Sequence, residues 1–257
     1  MQTIESFIPS FDLHGQTALI TGSAQGLGWA IAAAYAGLGA HVILNGRSLA
    51  PLQAAQKRLH DAGYQASIWC QDISDLNTLE ASYATLSVQP DILVNTVGGR
   101  LRRPFSELSA LEIAQHIQDN LTATVVLSKL AAMGMAAKGY GRIITFSSIA
   151  GRIARAGDAV YPVAKQGLEA LVRSLAVEFG SQGITSNGIA PGTFATESNQ
   201  ALASDPIKGA HVIGRNPLAR WAQPAEITPA AVFLASKSAS YVNGHIVVVD
   251  GGFSITF

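Results

Sequence analysis

The chain has 257 residues, 48% of them hydrophobic and only 13% charged, with 17 basic and 17 acidic side chains cancelling to a formal net charge of zero. Such a balance describes a well-filled core under a modest surface, and it leaves little case for a nucleic-acid partner recognised through phosphate charge. No uninterrupted apolar run reaches spanning length, the opening MQTIESFIPSFDLHG lacks the basic start and apolar stretch of a signal peptide, and the single cysteine rules out an internal disulfide, all of which suits a cytoplasmic protein without a membrane partner.

Along the chain, short apolar runs alternate with helical stretches. Residues 1–13 read as an arm and 14–257 as one domain. TALIT (17–21) predicts a first strand, followed by the helical LGWAIAAAYAGLGA. HVILNG (41–46) is a second strand, followed by the helical LAPLQAAQKRLHDAG. QASIWCQD (65–72), DILVNT (91–96), GRIITFSS (141–148), GITSNGIAP (183–191) and GHIVVVDGG (244–252) are further strands, with Cys70 a small hydrophobe in or after the third. Helical patterns fall around 75–88, 109–138, 162–180 and 224–236. Alternation of this kind predicts an α/β fold: a doubly wound sheet of about seven parallel strands with helices on both faces. No linker or repeat divides it.

The turn after the first strand, TGSAQGLGWA, carries Gly22, Gly26 and Gly28, with Ser23, Gln25 and Leu27 between them. A glycine-rich turn that leaves a strand and opens a helix lets the backbone approach a pyrophosphate, whose charge then sits at the helix N-terminus. The end of the second strand separates the two nicotinamide cofactors. An NAD site offers a carboxylate there for the adenosine ribose. This chain has NGRS instead, with Asn45 in the acid's place and Arg47 and Ser48 beyond it. A guanidinium binds a 2′-phosphate in forked geometry, so NADP(H) is preferred over NAD(H).

YPVAK (161–165) places Tyr161 one helical turn before Lys165, with Pro162 suited to a first turn. Ala164, Leu168, Leu171, Leu175 and Val177 continue the helix as an apolar stripe. Alone, the pair reads as a buried aromatic beside a surface lysine.

In the context of TGSAQGLG, Asp72-Ile73, NTVG, Asn120, Ser148, Tyr161, Lys165, PGTFAT and VNGHIVVVDGG, the chain resembles the short-chain dehydrogenase/reductase family over residues 13 to 257. VILNGR, RRPFSELS, APGTFATE, NPLARWAQPAEI and VDGGFSITF resemble the gluconate 5-dehydrogenase group within it. The resemblance implies interconversion of a secondary alcohol and a ketone by hydride transfer. D-Gluconate to 5-dehydro-D-gluconate is the leading reaction; a 3-oxoacyl-carrier-protein reductase, or another ketone or sugar-alcohol reductase, is the alternative. It makes Tyr161 the acid–base group, Lys165 the charge that favours its phenolate, Ser148 the partner of the reacting oxygen, and Asn120 the holder of a water linking Lys165 to solvent. Lys165 gains a second task on the nicotinamide ribose. Asp72 and Ile73 would meet the adenine, Asn95 and Gly98 the adenosine half, and Pro191, Gly192, Phe194 and Thr196 the carboxamide.

Two departures stand out. Thr96-Val97 replaces the usual asparagine and alanine after the fourth strand, and Gln25 stands where many NADP-dependent relatives have arginine. For the substrate, GGRLRRP offers Arg100, Arg102 and Arg103, and GRIARAG offers Arg152 and Arg155. Guanidinium groups there favour an anionic small molecule. Arg103 and Arg155 are the first choices, and Asn199 and Trp221 would line a lid at about 195–220. The resemblance further implies a homotetramer packed through the helices at 109–138 and 162–180. No metal site is expected.

Overall fold

The computed structural model describes residues 4–256. Seven parallel strands form one sheet in the order β3-β2-β1-β4-β5-β6-β7. They are β1 (Thr17–Ile20), β2 (His41–Gly46), β3 (Ala66–Cys70), β4 (Ile92–Asn95), β5 (Gly141–Phe146), β6 (Ile184–Pro191) and β7 (Ile246–Val249). Every residue of β1, β4 and β5 is buried, which is why these strands read as continuous apolar runs rather than alternating ones.

Nine α-helices follow among the described residues: α1 (Gly26–Gly37), α2 (Leu49–Asp61), α3 (Leu76–Tyr83), α4 (Ala110–Ile117), α5 (Ala123–Lys138), α6 (Val160–Phe179), α7 (Gln200–Ala203), α8 (Lys208–Ile213) and α9 (Thr228–Ala235). Side chains of α1, α2 and α9 fill one core layer with Ile20, Leu44 and Val94 of the sheet. Those of α3, α5 and α6 fill the other with Leu19, Ile43 and Leu93. Neighbouring strand residues therefore feed opposite cores, as the two-residue period of a strand requires. Tyr35 of α1 is wholly buried, and its hydroxyl donates to the Ala231 carbonyl of α9 at 2.8 Å.

Strand order reverses between β1 and β4. That reversal opens a crevice above the carboxyl ends of the strands, where ligands of doubly wound sheets bind.

Several expectations need correction. The stretch 109–138 is not one regular helix: a π-helical turn, Gln118–Thr122, separates α4 from α5. Taken together, Ala110–Lys138 is long and apolar enough to cross a membrane by length and composition, although no spanning run was expected. It serves as a core helix, with Ala123, Leu127, Ala131, Ala132 and Met135 buried against the sheet. On α6 the buried stripe runs through Ala164, Leu168, Val172 and Leu175, while Val177 is 86% exposed. Leu13, assigned to the arm, is buried in the core and its N–H donates to the Leu38 carbonyl. Cys70 ends β3 exposed.

Candidate active site

A cleft of about 670 Å³ lies over the carboxyl ends of the strands. Its floor is the glycine turn. Gly22 and Gly26 hold φ of +61° and +62°, a region costly for other residues. Gly28 has ordinary dihedrals but no room: a Cβ there would lie 2.5 Å from the Gly22 carbonyl oxygen. Gln25, in extended conformation, precedes α1 without a side-chain cap, and the helix has no acid in its first turn. Its leading N–H groups are thus available to an anion. One is met by protein: Glu197, beyond β6, accepts from the Gly26 N–H at 2.9 Å. A carboxylate thus already occupies one of these donors, and a pyrophosphate would fit the same set. Gln25 and Leu27 also line the cleft, but Ser23 does not. Ser23 is buried and clasps β2, accepting from the Asn45 N–H at 2.9 Å.

Beyond β2, Arg47 and Ser48 are exposed on the cleft wall. Asn45 also borders it, yet its side-chain amide donates to the Trp69 and Gln71 carbonyls, both at 3.0 Å. Asn45 therefore stitches β2 to the β3 end instead of reaching for a ligand. An aspartate could donate to neither carbonyl, which gives the missing acid a structural reason too. Asp72 borders the cleft while its Oδ1 accepts from the Ser74 N–H at 3.0 Å and hydroxyl at 2.7 Å. Ile73 borders the cleft as well, although it is 2% exposed and packs into the core.

Asn95 lies beneath the cleft, bonded through Nδ2 to the Ser128 hydroxyl at 3.0 Å, so it supports the floor rather than touching a ligand. Gly98 does line the cleft, as do Pro191, Gly192, Phe194, Thr196 and Asn199 opposite. Trp221 does not, and its indole N–H donates to the Gly209 carbonyl of α8.

Four elements converge on Tyr161. α6 starts at Val160, so Tyr161 and Pro162 both lie in its first turn and Lys165 follows on the same face. Lys165 is 2% exposed and its ammonium donates to the Phe146 carbonyl at 3.0 Å. Burial, then the positive charge of Arg100, push Lys165 down to about 8. Asn120 stands in the π-helical turn, where Nδ2 donates to the His116 carbonyl and Oδ1 accepts from the Gly99 N–H, both at 2.9 Å. The bulge thereby ties the central helix to the loop after β4. Ser148, after β5, presents its hydroxyl to the phenol. Burial nevertheless holds the Tyr161 phenol above its ordinary value; Arg100, Ser148 and a bond from Arg100 oppose that, and Asp158 reinforces it. The expected ease of ionisation is therefore corrected: the phenol is raised, and the groups that oppose its burial are Arg100 and Ser148 rather than Lys165.

The arginines of the two loops differ in their partners. Arg103 is held by Glu112 of α4 at 2.7 Å, next to the capping box that Glu112 makes with Ser109. Arg152 likewise pairs with buried Glu169. Arg100 instead sits over Tyr161, its Cζ 4.6 Å from the ring centroid, and pairs with Asp158 at 2.6 Å. Arg102 feels Arg100 and Arg155 as neighbours. Neither Arg102 nor the exposed Arg155 makes an ion pair among the described residues. Asp158, Arg100 and Glu197 carried no spacing signal; only an acid three residues before Tyr161 hints at the first. No cluster of metal-binding side chains occurs among the described residues.

This fold with a glycine-turn cleft and a Tyr161–Lys165 pair defines a nicotinamide-dependent oxidoreductase, and a family model described as enoyl-(acyl carrier protein) reductase matches residues 22–254. The chain belongs to the short-chain dehydrogenase/reductase family. It is 34% identical over 249 residues to the gluconate 5-dehydrogenase of Gluconobacter oxydans, covering 96% of this chain and 97% of that protein. It is 35% identical over 248 residues to the 5-keto-D-gluconate 5-reductase of Escherichia coli K12, covering 95% and 98%. A gluconate 5-dehydrogenase from Burkholderia cenocepacia, crystallised with NADP and tartrate, superposes with a TM-score of 0.91 at 32% identity, covering 96% of this chain and 98% of that one.

Proposed function

We propose that this chain interconverts D-gluconate and 5-dehydro-D-gluconate with NADP(H) preferred over NAD(H). The observation that carries the substrate class is the group of arginines on the loops after β4 and β5. Arg102 and Arg155 are neighbours that make no ion pair among the described residues, while Arg100, Arg103 and Arg152 are already paired. Arg102, near enough to Tyr161 to feel its charge and with Arg155 as its neighbour, suits a sugar acid's carboxylate, and relatives named for gluconate and 5-keto-D-gluconate match 95–96% of the chain. Arg47 supports the cofactor preference. It stands free on the cleft wall, whereas a ribose-binding acid is absent from Asn45.

The nicotinamide, when bound, supplies the hydride acceptor or donor. The glycine turn and the α1 N-terminus hold the pyrophosphate, Arg47 and Ser48 the 2′-phosphate, and Pro191, Gly192, Phe194 and Thr196 the carboxamide. Lys165 would hold the nicotinamide ribose. Tyr161 Oη takes the proton from the alcohol during oxidation and returns it during reduction. Ser148 Oγ hydrogen-bonds the same substrate oxygen, keeping it within reach of the phenol. Asn120 keeps the Gly98–Gly99 backbone in place and positions a water beside Lys165. Exposed Val125 and Met133 on α5 and Val163 and Val177 on α6 suit packing between copies, as a homotetramer requires.

Initial rates of reduced-nicotinamide formation from D-gluconate, with NADP+ and NAD+ in parallel, test the reading. Turnover with NADP+ alone supports both halves. Turnover with NAD+ alone removes the cofactor preference. No turnover with either, from protein that still binds NADPH, removes gluconate and turns attention to 3-oxoacyl thioesters and other ketones.

A further inference from the structure

We propose that Arg100, clamped by the buried carboxylate of Asp158, is a positioning residue for Tyr161: a second cation, beside Lys165, that holds the ring and favours negative charge on its oxygen. The geometry comes first. Arg100 Cζ lies 4.6 Å from the Tyr161 ring centroid, closer than Lys165 Nζ at 5.5 Å. Its Nη1 donates to Asp158 Oδ2 at 2.6 Å, and the two side chains are 34% and 2% exposed. Asp158 Oδ1 has no hydrogen-bond partner. A carboxylate this deeply buried is costly unless paired, and Arg100 is its one ion-pair partner among the described residues. Asp158 therefore fixes Arg100, not the reverse.

The arrangement needs arginine. A planar guanidinium can lie over an aromatic face and still donate in its own plane to a carboxylate; an ammonium cannot do both from one position. The backbone delivers it there. Gly99, the preceding residue, gives its N–H to Asn120 Oδ1 at 2.9 Å, so the loop that bears Arg100 is tied to the central helix. Asp158 lies on the other side, in the turn that enters α6 three residues before Tyr161. Loop, turn and helix are thus joined through one ion pair on the face of the reacting side chain.

The other groups facing Tyr161 are Arg102 from the same loop, His116 from α4, with ring centroids 6.3 Å apart, Ser148 after β5 and Lys165 on α6. Arg100 opposes the burial that raises the phenol, and its influence exceeds the contrary one of Asp158. It also pushes Lys165 down. His116 is lowered from its ordinary value, chiefly by burial.

The proposal rests on Tyr161 as the proton-transfer group but not on any particular substrate, and its test separates the two. The tyrosinate absorbance of the folded protein is titrated, with Tyr161→Phe subtracted to isolate the one phenol. Arg100→Met, similar in bulk, should move that titration up by about one pH unit, and Arg100→Lys should restore part of the shift. Where a substrate turns over, the acidic limb of kcat/KM for alcohol oxidation should move with it, costing about tenfold below the limb and little above it. Ketone reduction, which needs the protonated phenol, should lose less. An unmoved titration with a raised substrate KM overturns the proposal and makes Arg100 a substrate ligand. An unmoved titration with a lowered Tm overturns it in favour of a purely structural clamp.

Discussion

Replacing Gly98 with alanine should disable the enzyme without removing any reacting group. A Cβ on Gly98 would lie 2.8 Å from Lys165 Nζ and 3.0 Å from Asn120 Oδ1. Ordinary contact begins near 3.4 Å, so the ammonium must withdraw by roughly 0.6 Å, the difference between those two distances. A surface lysine would swing aside at little cost. Lys165 is 2% exposed and bonded to the Phe146 carbonyl at 3.0 Å, so withdrawal stretches that bond in a closed space. Losing a hydrogen bond to a buried charge costs about 1.5–3 kcal/mol. At about 1.4 kcal/mol per tenfold, kcat should fall roughly 10- to 100-fold, in line with the cost of a small misplacement near the chemistry. Overpacking should also lower stability by about 1–3 kcal/mol. Gly99 is the matched control. It borders the same cleft, yet nothing lies within 4 Å of a Cβ built there. Gly99→Ala should keep kcat within about twofold. Steady-state rates and thermal unfolding of both variants make the comparison. Wild-type kcat in Gly98→Ala, or an equal loss in Gly99→Ala, would refute the argument.

Three further outcomes are expected. Arg47→Ser should raise KM for NADP+ on the order of 10- to 100-fold, the value of one charge-assisted contact, and leave KM for NAD+ unchanged; equal rises for both would deny Arg47 a phosphate contact. Burial holds Lys165 near 8 against an ordinary 10.5, so between those values the unfolded chain carries more protons than the native one. Stability from this group therefore rises with pH across that window, and Lys165→Met should flatten the rise in Tm while raising Tm at pH 7; a parallel shift at every pH would contradict the burial argument. Glu197→Gln should tighten NADPH binding severalfold in calorimetry, because the anion resting on the Gly26 N–H no longer opposes the pyrophosphate, whereas weaker binding would make Glu197 a ligand rather than a competitor.

The strands were legible because burial on both faces leaves continuous apolar runs such as TALI and ILVN, bounded by turn residues. The π-helical turn at Gln118–Thr122 was not. Its residues suit a helix, and the extra residue is fixed by tertiary bonds, above all that of Asn120 Oδ1 to the Gly99 N–H. The expected α6 stripe also overextends. Val177, only two residues after Leu175, breaks the three- and four-residue spacing and lies on the opposite side of the helix, whereas the buried face takes in Val172 and Ala176.

The site divides along the same physical line. Gly22, Gly26 and Gly28 could be read because a close backbone approach demands glycine wherever it occurs; the Tyr161–Lys165 pair could be read because helical spacing brings the two together. The arginines could not, because a loop spacing says nothing about which guanidinium turns inward. Arg100 and Arg103 are three residues apart in one loop, Arg100 between Gly99 and Leu101 and Arg103 between Arg102 and Pro104, and neither setting tells which side chain turns inward. What distinguishes them is the acid each meets. Glu112 sits at the exposed start of α4 and draws Arg103 outward, whereas Asp158 is buried beside Tyr161 and draws Arg100 in. Both acids are distant in sequence from their partners, and burial makes only the second pair obligatory. The charge pattern around Tyr161 is thus set by where carboxylates are buried, and those positions are fixed by the fold.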